Sequence, residues 1–213
     1  MNSLNFKHSI VFFNLCILMS PIYQQLSYAL IVLCLFLILM IGISHGALDN
    51  VKGEKLFKLL GINSNFLFYL SYIFISLFII STWLIFPNLI LLIFLIVASY
   101  HFGKEDTVFK IKENFLLNEL LFFLKGSSVI LAPLLFQRDN TNEIFAILRF
   151  SVFESSFFNN FTLIIFLLLS FFSGLYLSKH KSIDFKNIMI LDFFSIIILN
   201  IFLTPILAFT IYF

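Results

Sequence analysis

Long apolar runs constrain this chain more than any other feature. Seven stretches are rich in Phe, Leu and Ile and carry few charges: residues 9–23, 26–44, 65–86, 88–100, 114–136, 157–178 and 188–213. Over the whole chain 61% of residues are apolar and 11% are charged, whereas soluble domains carry about 25% charged residues. There are too few charges to coat a surface in water, so the sequence predicts an integral membrane protein.

The same runs predict the fold class. Backbone polar groups inside a bilayer must bond to one another, and no run shows the period-two alternation of a barrel strand. The sequence therefore predicts an all-α, polytopic helical membrane bundle with seven spans plus a partial eighth, forming a single membrane-embedded domain over residues 1–213.

Pro205 is the basis for the partial eighth helix, because proline cannot donate a backbone hydrogen bond and disfavours helix at the preceding residue. We predict that the seventh helix ends near Leu203 and that the eighth begins at Thr204 and returns toward the cytoplasm. Asn200 and Thr204 are expected to bond the backbone groups that the break frees.

Loop charges predict the orientation, because Lys and Arg favour the cytoplasmic side of short loops. With seven spans, one face carries ten basic residues and the other carries Arg138 and Arg149. The ten are Lys7, Lys52, Lys55, Lys58, Lys104, Lys110, Lys112, Lys179, Lys181 and Lys186. We predict a multi-pass protein of the inner (plasma) membrane with a cytoplasmic N-terminus.

Other composition features exclude some classes of function. The net charge is +2 and no basic run occurs, so nucleic acid is not an expected partner. Cys16 and Cys34 both lie in apolar runs, where we interpret them as packing residues and not as a disulfide.

Two histidines occupy matching places in this topology. His45 and His101 each end a predicted span on the cytoplasmic side, and each is followed by glycine and then by an acid, Asp49 or Asp106. Imidazole is a common ligand of transition metals, and a carboxylate can orient the ring. We predict that the two imidazoles face each other and bind a metal, with Asp49 and Asp106 as supporting groups. His8 and His180 adjoin lysines and are interpreted as solvated.

Three ionisable residues fall within or near the ends of spans: Glu119, Lys125 and Asp192. Charges at membrane depth cost free energy and therefore mark function more often than elsewhere. Glu119 is expected to reach the interface, and Lys125 to pair with Asp192 or another acid. The role of this pair stays open, since a structural ion pair and a polar transport path both fit.

The histidine motifs resemble those of the Brp/Blh family of membrane β-carotene 15,15′-dioxygenases. Residues 45–49 read His-Gly-Ala-Leu-Asp, and residues 101–106 match His-Phe-Gly-x-x-Asp. Two further segments show weaker similarity. The first comprises Lys125, Gly126, Pro133 and Phe136, where the family has Arg at the position of Lys125 and Pro at the position of Val129. The second comprises Pro205, Leu207, Ala208, Phe209, Tyr212 and Phe213. Asn50 stands where many members have a second histidine.

The resemblance implies a function, a cofactor and partners. It implies that Fe(2+), held by His45, His101 and further ligands, supports cleavage of the central double bond of β-carotene by dioxygen, giving two retinal molecules. Membrane lipid would deliver the substrate, and the product implies a functional link to a microbial rhodopsin. The family continues beyond the Tyr-Phe pair with further histidines, so we expect this chain to be a fragment that lacks a C-terminal His-bearing segment, binds iron weakly and does not cleave carotenoid.

Two other classes of protein remain open from the residues alone. A non-catalytic membrane transporter or lipid-binding protein would use the same bundle, with Lys125 and Asp192 along a path. A structural or assembly protein would need none of the polar groups. Only the histidine motifs separate an oxygenase from these alternatives.

Overall fold

The fold was analysed in a computed structural model. It describes residues 2–19, 28–46, 49–59, 61, 65–107, 115–151 and 158–212. Within them the chain is helical throughout and contains no strand, which confirms the all-α prediction. The helices are α1 (Asn2–Met19), α2 (Tyr28–Gly46), α3 (Asp49–Leu59), α4 (Asn65–Ile85), α5 (Pro87–Glu105), α6 (Phe115–Gly126), α7 (Ser128–Phe136), α8 (Arg138–Ile147), α9 (Asn160–Leu177), α10 (Ile183–Phe202) and α11 (Pro205–Tyr212).

Five segments are long and apolar enough to cross a bilayer. They are Phe66–Ile85, Pro87–Glu105, Leu116–Phe136, Asn160–Leu177 and Ile183–Phe202. The first two predicted runs are also helical, with shorter apolar stretches at Asn5–Leu18 and Leu30–Gly42. The chain is therefore a helical membrane protein, and the total of seven spans plus a partial eighth stays a prediction.

Two predicted loops contain helices. The connection over residues 45–64 includes α3, and the connection over residues 137–156 includes α8. Both helices are polar on average, so the hydropathy that marks membrane spans does not indicate them. Within the fifth run, Ser127 separates α6 from α7.

The break before Pro205 is confirmed. α10 ends at Phe202, Leu203 is extended and α11 begins at Pro205. The expected bonding of the freed groups is wrong: Asn200 Nδ2 donates to the Ile196 carbonyl inside α10, and Thr204 Oγ1 is buried without a partner among the described residues. Gln137 Nε2 donates instead to the carbonyl of Ile201, at 3.4 Å, the group whose helical donor proline lacks.

Two buried clusters hold the bundle together. One joins α5, α7, α9 and α10 through side chains such as Leu91, Leu134, Leu163 and Ile196. The other joins α1, α2, α10 and α11, and it contains Cys16 and Cys34, which are 1% and 2% exposed. Both cysteines are reduced and lie in apolar packing, as predicted. α11 packs mainly on α2 and so closes this side of the bundle.

Two glycines let α5 and α6 cross at close range. A Cβ atom added to Gly126 would overlap the carbonyl oxygen of Ser99, and one added to Gly103 would overlap that of Phe122. Small residues at such a crossing let two membrane helices pack backbone to backbone. We expect Gly126→Ala to lower the free energy of unfolding by about 3 kcal/mol, since overpacking against backbone cannot relax through a side chain.

Thermal unfolding of purified protein in detergent, followed by the loss of the monodisperse peak, measures this effect. Gly42→Ala is the matched control, because a Cβ atom at Gly42 meets nothing within 4 Å. Equal stability of the two alanine variants would contradict the close crossing.

Candidate functional site

An apolar cavity of about 560 Å³ lies between α2, α5, α7, α8, α10 and α11. This volume is within the range of about 300–1,000 Å³ for sites that bind small molecules. Its walls are almost wholly aliphatic and aromatic, with polar side chains at four positions: His101, Thr141, Asn200 and Tyr212. The cavity therefore suits a large hydrocarbon with few polar groups.

The cavity is elongated along the helices that line it. On α5 the lining runs from Phe94 to Phe102, eight residues apart, which is about 12 Å at the helical rise. On α11 it runs from Pro205 to Tyr212, about 10 Å. We call the part beside His101, Phe102 and Tyr212 the His101 end, and the part beside Asn200 and Pro205 the Asn200 end.

His101 lies near the C-terminus of α5 and is one of the predicted metal ligands. Its side chain is exposed and lines the cavity. The neighbouring ring of Phe102 packs edge-on against Phe209 and Tyr212 of α11, with centroid distances of 5.9 and 6.4 Å. These contacts place the last turn of α11 beside the imidazole-bearing turn of α5.

Asp106, the predicted supporting carboxylate, caps the C-terminus of α5. Its Oδ2 accepts a hydrogen bond from the Tyr212 hydroxyl. Burial raises the pKa of Asp106, while the nearby ammonium of Lys125 and the Tyr212 hydrogen bond act in the opposite direction. Asp106 thus ties α11 to α5 next to His101.

Lys125 is a buried cation near two half-buried carboxylates, those of Asp106 and Asp192. It is 8% exposed, and the charges of Asp106 and Asp192 both act on it. Its Nζ donates to Thr107 Oγ1 at 3.4 Å. The three charged residues border a second, small void of about 20 Å³, room for about one water molecule.

Two serine hydroxyls bond the backbone carbonyl of Lys125. The Lys125 carbonyl accepts hydrogen bonds from Ser128 Oγ at 2.9 Å and Ser170 Oγ at 2.7 Å. These bonds fasten the turn between α6 and α7 to α9, and they fix the depth at which the lysine enters the bundle.

Glu119 belongs to a separate, more exposed group. The Tyr100 hydroxyl donates to its carboxylate, and Lys104 Nζ lies 3.7 Å from it. Its side chain is 25% exposed. Glu119 therefore pairs with Tyr100 and Lys104 near the ends of the helices, as its position in the sequence indicates.

His45 lies in the last turn of α2 and Asp49 opens α3, but the side chains of both are outside the described residues. The facing of His45 and His101 stays a prediction. Among the described side chains, no three His, Cys, Asp or Glu residues group as metal ligands. His101 is the imidazole that lines the described cavity, so the fit of an iron ion depends on His45 and on further ligands.

A comparison with protein families decides the classification. The family model described as Beta-carotene 15,15'-dioxygenase matches residues 36–213. The chain belongs to this family. The match begins in α2 and includes every residue that lines the cavity except Leu35. No curated protein and no solved structure gives a significant match to the chain.

Membership of the β-carotene dioxygenase family agrees with an apolar cavity that reaches His101. The sequence does not indicate that Tyr212 bonds Asp106 or that Asn200 lines the cavity. Tyr212 belongs to a recognised motif, but its bond to Asp106 joins residues 106 positions apart. From the sequence, Asn200 is expected to bond backbone groups at the helix break. Its position inside an apolar span is also a signal of a polar site.

Proposed function

We propose that the protein, when its full set of iron ligands is present, cleaves β-carotene at its central double bond with dioxygen and releases two molecules of retinal. The observation that carries this proposal is the 560 Å³ apolar cavity that reaches His101 in a chain of the β-carotene dioxygenase family. One oxygen atom goes to each carbon of the cleaved bond, so the two products account for the substrate and O₂.

Fe(2+) is the proposed cofactor, with His45 and His101 among its ligands. Iron, when bound, supplies the activation of dioxygen. The protein itself shapes the site. Phe102 and Phe209 form an apolar wall beside His101, and Asp106 and Tyr212 hold α11 against α5. Such a wall orients a polyene and excludes water from the cleaved bond.

The substrate is proposed to arrive from the membrane lipid. Phe94 and Val97 line the cavity and are 61% and 57% exposed. A carotenoid dissolved among lipid chains therefore meets side chains that lead directly into the cavity. The retinal product is proposed to supply a microbial rhodopsin in the same membrane, with the N-terminus of this protein cytoplasmic.

The transporter alternative has less support. It would use Lys125 and Asp192 to line a polar path, but the void between them is about 20 Å³. This space holds about one water molecule. The large cavity, in contrast, is apolar and suits a lipid-soluble substrate.

Expression in a bacterium that accumulates β-carotene tests the proposal. The gene is expressed with any codons that continue its frame beyond Phe213, and carotenoid and retinal are separated by chromatography. We expect loss of β-carotene and formation of two retinal molecules for each one lost. Loss of colour without retinal, or retinal at the level of cells with an empty vector, would contradict the proposed reaction.

A further inference from the structure

The Asn200 end of the cavity contains a polar group that a hydrocarbon does not explain. Asn200 is 6% exposed and lies on α10 among cavity-lining residues such as Pro133, Ile144 and Pro205. Burying an amide without hydrogen-bond partners costs free energy. An asparagine in this wall therefore calls for a partner.

The hydrogen bonds of Asn200 leave its oxygen open. Nδ2 donates to the carbonyl of Ile196 at 2.8 Å, and this bond fixes which amide atom is nitrogen, since oxygen cannot donate to a carbonyl. No described residue donates to Oδ1. An amide oxygen accepts two hydrogen bonds, so the cavity wall presents an unused acceptor.

Thr141, the other polar side chain toward this part of the cavity, is different. Its hydroxyl donates to the carbonyls of Gln137 and Pro133, at 2.8 and 3.1 Å. A hydroxyl has one proton to donate, so the donor of Thr141 is used within α7 and α8. The Thr141 oxygen keeps lone pairs that can accept, so a Thr141 variant distinguishes this hydroxyl from Asn200 as the acceptor.

We infer that Asn200 Oδ1 accepts a hydrogen bond from a hydroxyl group on the ring of a carotenoid, and that the protein binds ring-hydroxylated carotenoids more tightly than β-carotene. This inference rests on the proposed function, because it places a carotenoid in the cavity. With the polyene passing His101, the ring of one half lies toward the Asn200 end. A hydrocarbon ring there leaves Oδ1 unpaired, whereas a ring hydroxyl satisfies it.

Binding of two probes, β-carotene and its 3-hydroxy derivative, tests the inference. Metal-free protein in detergent is titrated under nitrogen, so that no turnover occurs, and quenching of the protein fluorescence gives each Kd. We expect the 3-hydroxy derivative to bind about three- to tenfold more tightly, the range of one net hydrogen bond. Asn200→Leu should remove this preference while keeping or improving the affinity for β-carotene.

Thr141→Val is the matched control, because it removes a polar group of the same cavity whose proton is already donated to backbone carbonyls. It should leave the preference unchanged. Equal affinities of the wild-type protein for the two probes, as when water stays on Oδ1 in both complexes, would overturn this inference and leave the proposed function intact. Failure to bind either probe would overturn the proposed function as well.

Discussion

His101→Ala is expected to reduce retinal formation by more than about 100-fold, because loss of a group that only supports a metal ligand already costs about 10–100-fold in metal affinity or activity. The side chain is exposed at the cavity wall, so alanine leaves no buried void and the protein should accumulate normally. Retinal per cell and the amount of protein in the membrane are measured together, and the iron content of purified protein is measured separately.

His180→Ala is the control for this prediction. His180 is an exposed imidazole in the turn between α9 and α10, between two lysines, and it does not line the cavity. Its replacement should change neither retinal formation nor iron content. Retained activity in His101→Ala would show that the cavity histidine is not a metal ligand, even if the cavity binds carotenoid.

The helices that the sequence predicts are those fixed by local chemistry. In lipid a long apolar run must be helical, and proline lacks the donor that would carry α10 through Pro205. Both inferences use only neighbouring residues, and both agree with the structure. α3 and α8 were missed because their helicity depends on polar residues at a connection, for which hydropathy gives no signal.

The site was predictable in its residue types and less so in its contacts. His101 and Asp106 stand out through their motif, and Lys125 through its charge within a span. The Asp106–Tyr212 hydrogen bond depends on α11 folding back beside α5, which no local pattern specifies. Lys125 was expected to pair with one acid, but two carboxylates from different helices act on it, because the packing of α6 brings both near.

Lys125→Met is expected to lower the free energy of unfolding by about 3 kcal/mol, the lower end of the cost of removing one partner from a buried charged group, since Asp106 and Asp192 are half-buried. The substitution removes the ammonium and keeps a four-atom side chain, and it leaves Asp106 and Asp192 without the cation on which their charges act. Titration with SDS of protein in mild detergent, followed by circular dichroism, measures the loss.

The double variant Lys125→Met with Asp192→Asn separates the charge from the packing. If the loss comes from unpaired carboxylates, neutralising Asp192 should restore a large part of the stability, because Asp106 keeps its hydrogen bond from Tyr212. Lys104→Met is the control: this lysine pairs with Glu119 but is 54% exposed, and exposed pairs contribute little. A single variant as stable as the wild type would mean that these charges do not hold α5, α6 and α10 together. A loss that the second substitution leaves unchanged would show that the uncompensated Asp192 carboxylate is not its cause.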